Sequence, residues 1–241
     1  GGTTSHTAIL ARSLDIPAVM GLRDITQSVK DGDTVIVDGA VGEVIINPPM
    51  AIRREFVGKK KKYDDYRREL QKTAALEART LDGIRFTPMA NIELPEEVKV
   101  AQLMGAEGIG LFRSEFIYVQ SPERPEEEEH FRIYSQLAQQ PAPMPVYIRT
   151  IDIGGEKSLP QLNIEKEPNP ALGLRAIRFS LRDREIFRTQ LRAILRASVS
   201  KNVSILIPMI TELEEVHEVK TILREVQGEL RQERVAFDED I

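Results

Sequence analysis

The stretch Val146-Tyr147-Ile148-Arg149-Thr150-Ile151-Asp152-Ile153 decides the fold class of this 241-residue chain. Its β-branched and apolar residues predict a strand over residues 146–153. A charged Arg149 lies within this apolar run, where an arginine is costly unless it is paired. The stretch therefore indicates a buried strand that carries either a ligand-binding arginine or an ion pair with a neighbour such as Glu115 or Asp152.

On both sides of this stretch, predicted strands alternate with predicted helices. The other strands are predicted over residues 84–92, 108–119 and 204–210. Helices are predicted over residues 95–104, 125–139 and 212–233, with a helix-rich stretch over 172–200. This alternation predicts an α/β fold in which crossover helices join parallel strands. Four β/α units make half of an eight-stranded barrel, and a complete open sheet is the alternative.

The first 80 residues have a different organisation. Residues 7–14 predict a helix, and two β-branched runs around the turn at Gly39–Gly42 predict a hairpin. Residues 50–80 are rich in Lys, Arg, Glu, Ala and Leu and predict one long polar helix that links two domains. Its Lys59–Lys62 run is interpreted as a solvated helix face rather than an anion-binding patch.

Composition excludes several classes of function. The 33 basic and 38 acidic side chains give a net charge of −5, which argues against general nucleic-acid binding. The chain has no cysteine, so it contains no disulfide, thiolate zinc site or cysteine nucleophile of its own. No apolar run approaches the roughly 20 residues of a membrane span, and no signal peptide opens the chain. A cytoplasmic protein without membrane insertion is the prediction.

The chain opens with Gly1-Gly2-Thr3-Thr4-Ser5-His6, which places a histidine at a predicted helix start. The positive end of a helix dipole favours an anion there and disfavours imidazolium. His6 would therefore stay neutral and nucleophilic, with hydroxyl and amide groups nearby to hold a phosphoryl group. A capping turn with an incidental histidine is the alternative.

This opening resembles the phosphohistidine motif of the phosphoenolpyruvate-utilising enzymes, which include Enzyme I of the sugar phosphotransferase system, pyruvate phosphate dikinase and phosphoenolpyruvate synthase. The resemblance implies that His6 is the phosphorylated residue and that Thr4 and Arg12 contact its phosphoryl group. Gly105–Phe116, with Arg113, is similar to the second barrel strand of Enzyme I. Residues 146–157, with Arg149, are similar to the third strand, and residues 169–178 bring Arg175 close to the site. The resemblance implies that Arg113, Arg149 and Arg175 bind phosphoenolpyruvate.

The resemblance also implies a domain organisation. Residues 1–49 would be the C-terminal part of a swivelling phosphohistidine β/α domain, and residues 50–80 a linker helix. Residues 81–241 would be the first half of a (β/α)8 TIM-type barrel that binds phosphoenolpyruvate. Because both ends look cut, we expect the chain to be an internal piece of a longer protein and to be inactive when isolated.

The family chemistry implies Mg²⁺ as cofactor, with its ligands and a proton-donating cysteine expected beyond residue 241 and no metal ligand within this chain. Phosphoenolpyruvate and pyruvate would be the substrate and product. The phosphoryl group would pass from His6 to a histidine of the small carrier protein HPr, and the full-length protein would be a homodimer. The alternatives are a dikinase- or synthase-like enzyme and an inactive truncated copy. The remaining histidines, His130 and His217, are predicted to lie on solvated helix faces.

Overall fold

The computed structural model describes residues 11, 16–140, 144–154, 162, 169 and 173–241. The described strands are β1 Val35–Asp38, β2 Glu43–Ile46, β3 Met89–Ile92, β4 Gly108–Arg113, β5 Val146–Arg149 and β6 Val203–Leu206. The described helices are α1 Ile25–Ser28, α2 Met50–Ala74, α3 Glu97–Leu103, α4 Glu115–Gln120, α5 Glu127–Ala138, α6 Ala176–Arg182, α7 Arg184–Ala197 and α8 Leu213–Gln232. His6, Thr4, Arg12 and most of the helix predicted over 7–14 lie outside the described residues.

The chain divides into two compact units. The first comprises the described residues up to Glu77 together with Leu103–Gly105, and the second comprises Ala78–Gln102 and Ala106–Ile241. The domain boundaries at residues 49 and 80 remain predictions.

The first unit contains the predicted hairpin and the long polar helix. Strands β1 and β2 pair antiparallel, with Val35 opposite Ile46 and Asp38 opposite Glu43. The Asp38 carboxylate accepts hydrogen bonds from the amides of Ala40 and Val41 and so closes the turn. Helix α2 has no buried residue. All four lysines of Lys59–Lys62 are exposed, and Lys59 and Lys60 pair with Glu55 and Asp64 on the same helix.

The second unit is built on a parallel sheet with strand order β3-β4-β5-β6. The α/β class and the parallel pairing are therefore confirmed. Helices α5 and α7 pack against each other, as do α7 and α8. The core between the sheet and the helices includes Ile109, Phe112, Val146, Ile148, Leu137 and Ile194. A second cluster between α7 and α8 includes Leu191, Leu195, Ile222, Val226 and Leu230.

Strand β4 is shorter than predicted. It ends at Arg113, and Glu115–Gln120 form helix α4 instead of continuing the strand to residue 119. The run of Phe116, Ile117 and Tyr118 is apolar enough for either structure, and burial of all three on the helix decides the outcome. Strand β5 likewise ends at Arg149, although Thr150, Ile151 and Ile153 remain buried beyond it.

The prediction that His130 lies on a solvated face is wrong. Its side chain is fully buried on helix α5 and contacts Tyr134, with 3.0 Å between Nδ1 and the phenol oxygen. The preceding glutamates occupy the first turn of the helix, whereas His130, Tyr134 and Leu137 share its buried face. His217 is exposed, as predicted.

Candidate functional site

Two of the predicted site arginines end neighbouring strands. Arg113 is the last residue of β4 and Arg149 the last residue of β5, and they are partners across the parallel ladder. Parallel pairing places both residues at the carboxyl edge of the sheet, where α/β proteins bind their ligands. Like charges on directly opposed strand residues repel each other. The pair therefore requires anionic groups close by.

Arg149 obtains those anionic groups from two carboxylates. Its Nη2 donates to Glu115, the first residue of helix α4, and its Nη1 forms an ion pair with Asp152 Oδ2 at 3.1 Å. The Arg149 side chain is only 18% exposed. The ion pairs that the sequence offered as the alternative to ligand binding are thus both present, and they hold the guanidinium in one orientation.

Arg175 reaches the same cluster from a different segment. Its Nη2 donates to Asp152 Oδ1 at 2.8 Å, so Asp152 joins Arg149 and Arg175. Gly154 allows this approach, because a Cβ on Gly154 would lie 2.5 Å from the Cβ of Arg175. The φ of Gly154 is +134°, a conformation that side-chain-bearing residues rarely adopt.

The guanidinium groups keep donors that no carboxylate uses. The Nε atoms of Arg149 and Arg175 are buried and have no hydrogen-bond partner among the described residues. Unpaired buried donors cost free energy, and native proteins rarely retain them without a reason. Guanidinium donors pair well with anions that carry several oxygen atoms.

Arg113 has a more open environment. Its Nη1 donates to Glu93 Oε1 at 2.7 Å, and its side chain is 46% exposed. Glu93 follows strand β3, so the three neighbouring strands β3, β4 and β5 each bring a charged residue to the same edge. Arg113 is therefore the most accessible of the three arginines.

The carboxyl of Glu115 is electrostatically unusual. Burial raises its pKa, and Arg149 offsets part of this effect. Its second oxygen, Oε2, is buried without a hydrogen-bond partner among the described residues. Glu115 is therefore more easily protonated than an exposed glutamate.

Sequence reasoning missed two residues of this region, Glu93 and Gln190. Glu93 lies 20 positions before its partner Arg113, and no local pattern marks the pair. Gln190 could have been found, because it is a polar residue in the apolar stripe of Phe187, Leu191 and Ile194 on helix α7.

The described residues contain neither a candidate metal site nor a membrane-spanning helix. Within this part of the chain, no group of three or more His, Asp or Glu side chains could hold a metal ion. Glu93, Glu115 and Asp152 are each engaged by an arginine instead. No helix in the described ranges is long and apolar enough to cross a membrane.

Comparison with known proteins defines the class. A family model described as PEP-utilising enzyme, PEP-binding domain, matches residues 67–241, and a second, PEP-utilising enzyme, mobile domain, matches residues 1–42. The chain belongs to the family of PEP-utilising enzymes.

Several relatives of the chain share one name. The chain is 48% identical over all 241 residues to the phosphoenolpyruvate-protein phosphotransferases of Bacillus sp. (strain S) and Geobacillus stearothermophilus. It is 44% identical over the same length to that of Staphylococcus carnosus (strain TM300). The chain spans 42% of the length of each of these relatives.

Proposed function

We propose that the protein to which this chain belongs is a phosphoenolpyruvate-protein phosphotransferase. The observation that carries the proposal is the arginine cluster at the carboxyl edge of the parallel sheet. Arg149 and Arg175 converge there on Asp152 and each keep a buried, unpartnered Nε. Phosphoenolpyruvate carries a phosphate and a carboxylate, and the planar guanidinium fork matches both groups. The names of the relatives support the same reaction.

The proposed reaction begins with phosphoenolpyruvate in the arginine cluster. A ring nitrogen of neutral His6 attacks the phosphorus, and the bond between phosphorus and the enol oxygen breaks. The enolate takes up a proton at carbon and leaves as pyruvate, while His6 keeps the phosphoryl group. The guanidinium groups stabilise the negative charge on the transferring phosphoryl group. The phosphohistidine then passes this group to a histidine of an HPr-type carrier.

The architecture that we propose for the second unit is half of a (β/α)8 barrel. Its strands follow one another in chain order without a reversal, which supports a barrel segment over a doubly wound sheet. We further propose that residues 1–49 belong to the mobile phosphohistidine domain, that residues 50–80 link the two domains, and that the full-length protein is a cytoplasmic homodimer. The match of residues 1–42 to a mobile domain supports the first of these.

Magnesium belongs to the proposal as an offset for the charge of the substrate. The described residues do not fit a magnesium site by themselves, because the acidic side chains of the cluster already pair with arginines. Ligands for the ion would come from other residues of the full-length protein.

The decisive experiment incubates the full-length protein with magnesium and phosphoenolpyruvate that is radiolabelled in its phosphate group, without nucleotide. We expect an acid-labile, base-stable label that His6→Ala abolishes. His217→Ala is the matched control, because His217 is an exposed histidine and should leave the label unchanged. Undiminished labelling of His6→Ala would contradict the assignment of the phosphorylated residue. Labelling of His6 from ATP that carries the radiolabel in its β-phosphate would instead point to a dikinase- or synthase-like enzyme.

A further inference from the structure

A fully buried glutamine lies behind the arginine cluster. Gln190 is on helix α7 and has no exposed surface. A buried amide is costly unless its donors and acceptor are all engaged. Three groups engage them in this protein, and they come from three different segments of the chain.

The contacts of Gln190 reach both strands of the site. Its Oε1 accepts from the backbone amide of Ile151 at 2.9 Å. Its Nε2 donates to the hydroxyls of Ser114 and Tyr134, each at 2.9 Å. Because the amide of Ile151 can only donate, it fixes which end of the Gln190 side chain faces it. The orientation of the side-chain amide is therefore determined by the backbone.

Ser114 extends this connection to the arginines. Its hydroxyl donates to the backbone carbonyl of Arg149 at 2.7 Å. Ser114 lies between Arg113 and Glu115 in the chain, and Ile151 precedes Asp152 directly. Gln190 thus holds the two short segments that carry most of the charged residues of the cluster.

These segments lie just beyond the last paired residues of β4 and β5. On the side away from β4, the β5 segment keeps a hydrogen bond to β6, from the amide of Thr150 to the carbonyl of Leu206 at 3.0 Å. The pairing of β4 with β5 ends at Arg113 and Arg149, so ladder hydrogen bonds between the two strands do not continue to Ser114 and Ile151. Beyond that point, the hydrogen bonds of Gln190 and Ser114 connect the segment after β4 to the segment after β5. Together with the ion pairs of Arg149, these hydrogen bonds connect the segments that carry Glu115, Arg149 and Asp152.

We propose that Gln190 is a positioning residue for the phosphoryl-transfer site. It does not touch the substrate but holds the carboxyl ends of β4 and β5 in the spacing that the arginine cluster needs. The inference rests on the proposed function, because it assigns Gln190 a part in that same reaction. A displacement of about 1 Å in a catalytic constellation can cost about 100-fold in rate. Loss of Gln190 should therefore slow phosphoryl transfer by more than its effect on folding explains.

The test compares Gln190→Met with two other variants of helix α7 in the full-length protein. Met is similar in length to Gln but offers no amide to Ile151, Ser114 or Tyr134. Ile194→Val removes a small amount of buried packing from the same helix, and Leu191→Ala removes a large amount. The first should lower the melting temperature by less than Gln190→Met does, and the second by more. We expect Gln190→Met to lower the single-turnover rate of His6 phosphorylation at saturating phosphoenolpyruvate by about 10- to 100-fold. Both packing controls should stay within about twofold of wild type.

Two further variants distinguish the hydrogen bond from Gln190 to Ser114, next to the arginine cluster, from its hydrogen bond to the core residue Tyr134. Tyr134→Phe removes only a hydroxyl group, which contacts Gln190 Nε2 and His130 Nδ1 in the core. It should therefore lower the melting temperature and leave the rate near wild type. Ser114→Ala removes the link to the Arg149 carbonyl, so it should lower the rate in the same direction as Gln190→Met. Combining Ser114→Ala with Gln190→Met should then cost less than the product of the two single effects.

The outcomes distinguish the inference from the function on which it rests. A wild-type protein that phosphoenolpyruvate does not label overturns the proposed function and the inference together. A wild type that is labelled, with Gln190→Met reacting as fast as the packing controls, overturns the inference alone. If Gln190→Met does not fold, the comparison of Ser114→Ala with Tyr134→Phe decides: equal rates in these two variants overturn the inference.

Discussion

Asp152 forms ion pairs with Arg149 at 3.1 Å and with Arg175 at 2.8 Å, one on each carboxylate oxygen. The two arginines come from segments more than 20 residues apart, and this one carboxylate fixes their relative position. Their buried Nε atoms remain free of partners among the described residues. The carboxylate therefore orients both guanidinium groups, and neither arginine uses all of its donors within the cluster.

The first prediction concerns Asp152→Asn. An amide has one acceptor oxygen, and its NH₂ group would face a guanidinium donor, so one of the two arginines loses its partner. We expect the free energy of unfolding to fall by about 1–3 kcal/mol, measured by urea denaturation at neutral pH. Glu218→Gln is the control, because Glu218 pairs with Arg184 in an exposed position and should change stability by less than about 0.5 kcal/mol. Equal effects of the two substitutions would show that Asp152 does not bridge the arginines.

The second prediction concerns Arg113→Lys and Arg149→Lys in the full-length protein. Lysine keeps the charge but loses the planar fork, so contacts made mainly in the transition state should be lost. We expect the single-turnover phosphorylation rate to fall roughly 100- to 1000-fold in each, equivalent to about 2.7–4 kcal/mol. The rate should fall more than the affinity for phosphoenolpyruvate.

Thermal melting separates chemistry from structure in this pair. Arg113 is 46% exposed and has one carboxylate partner, whereas Arg149 is 18% exposed and has two. Arg113→Lys should therefore melt close to wild type, and Arg149→Lys should melt lower. Arg231→Lys, which alters an exposed pair with Glu239, is the control for the substitution itself. Near-normal rates for both cluster variants would identify these arginines as structural ion-pair partners.

The sequence predicted the organisation of this site better than its contacts. The alternation of elements and the arginines inside apolar runs follow from local composition, and both were recognised. Glu93 lies 20 residues from its partner Arg113, so only the folded chain reveals that pair. Gln190 stands out in the sequence as a polar residue in an apolar stripe, but its contact with Ile151, 39 residues away, is revealed only by the folded chain. The end of β4 at Arg113 was missed because burial on helix α4, rather than strand propensity, decides the structure of the next residues.

The third prediction concerns the pH dependence of Glu115→Gln. Burial raises the pKa of the Glu115 carboxyl, so the folded protein holds this proton more tightly than the unfolded chain. The stability contribution of Glu115 is therefore lost as pH rises from the unfolded pKa through the folded pKa. Relative to wild type, Glu115→Gln should gain stability between pH 4 and pH 7.

Glu233→Gln is the control for this comparison, with the opposite sign. The hydrogen bond from Arg192 lowers the pKa of Glu233, so its contribution is present at neutral pH and is lost on acidification. Relative to wild type, Glu233→Gln should therefore lose stability between pH 4 and pH 7. Urea denaturation across this range measures both differences. Parallel pH profiles for wild type and Glu115→Gln would contradict the raised pKa.

The last prediction concerns His130, the buried histidine that follows the glutamates at the start of helix α5. Burial lowers its pKa from 6.5 to about 4, and its Nε2 has no hydrogen-bond partner in the described part of the chain. Because the unfolded chain binds the proton more tightly, folding stability is full above the unfolded pKa and falls as pH decreases from about 6.5 towards about 4.

His130→Phe removes this titration while keeping an aromatic ring beside Tyr118 and Tyr134. Between pH 7 and pH 5, the variant should lose about 2 kcal/mol less free energy of unfolding than wild type, measured by urea denaturation followed by circular dichroism. His217→Phe tests the same substitution at an exposed histidine and should retain the wild-type pH dependence. If His130→Phe and wild type lose the same stability on acidification, protonation of His130 is not coupled to unfolding.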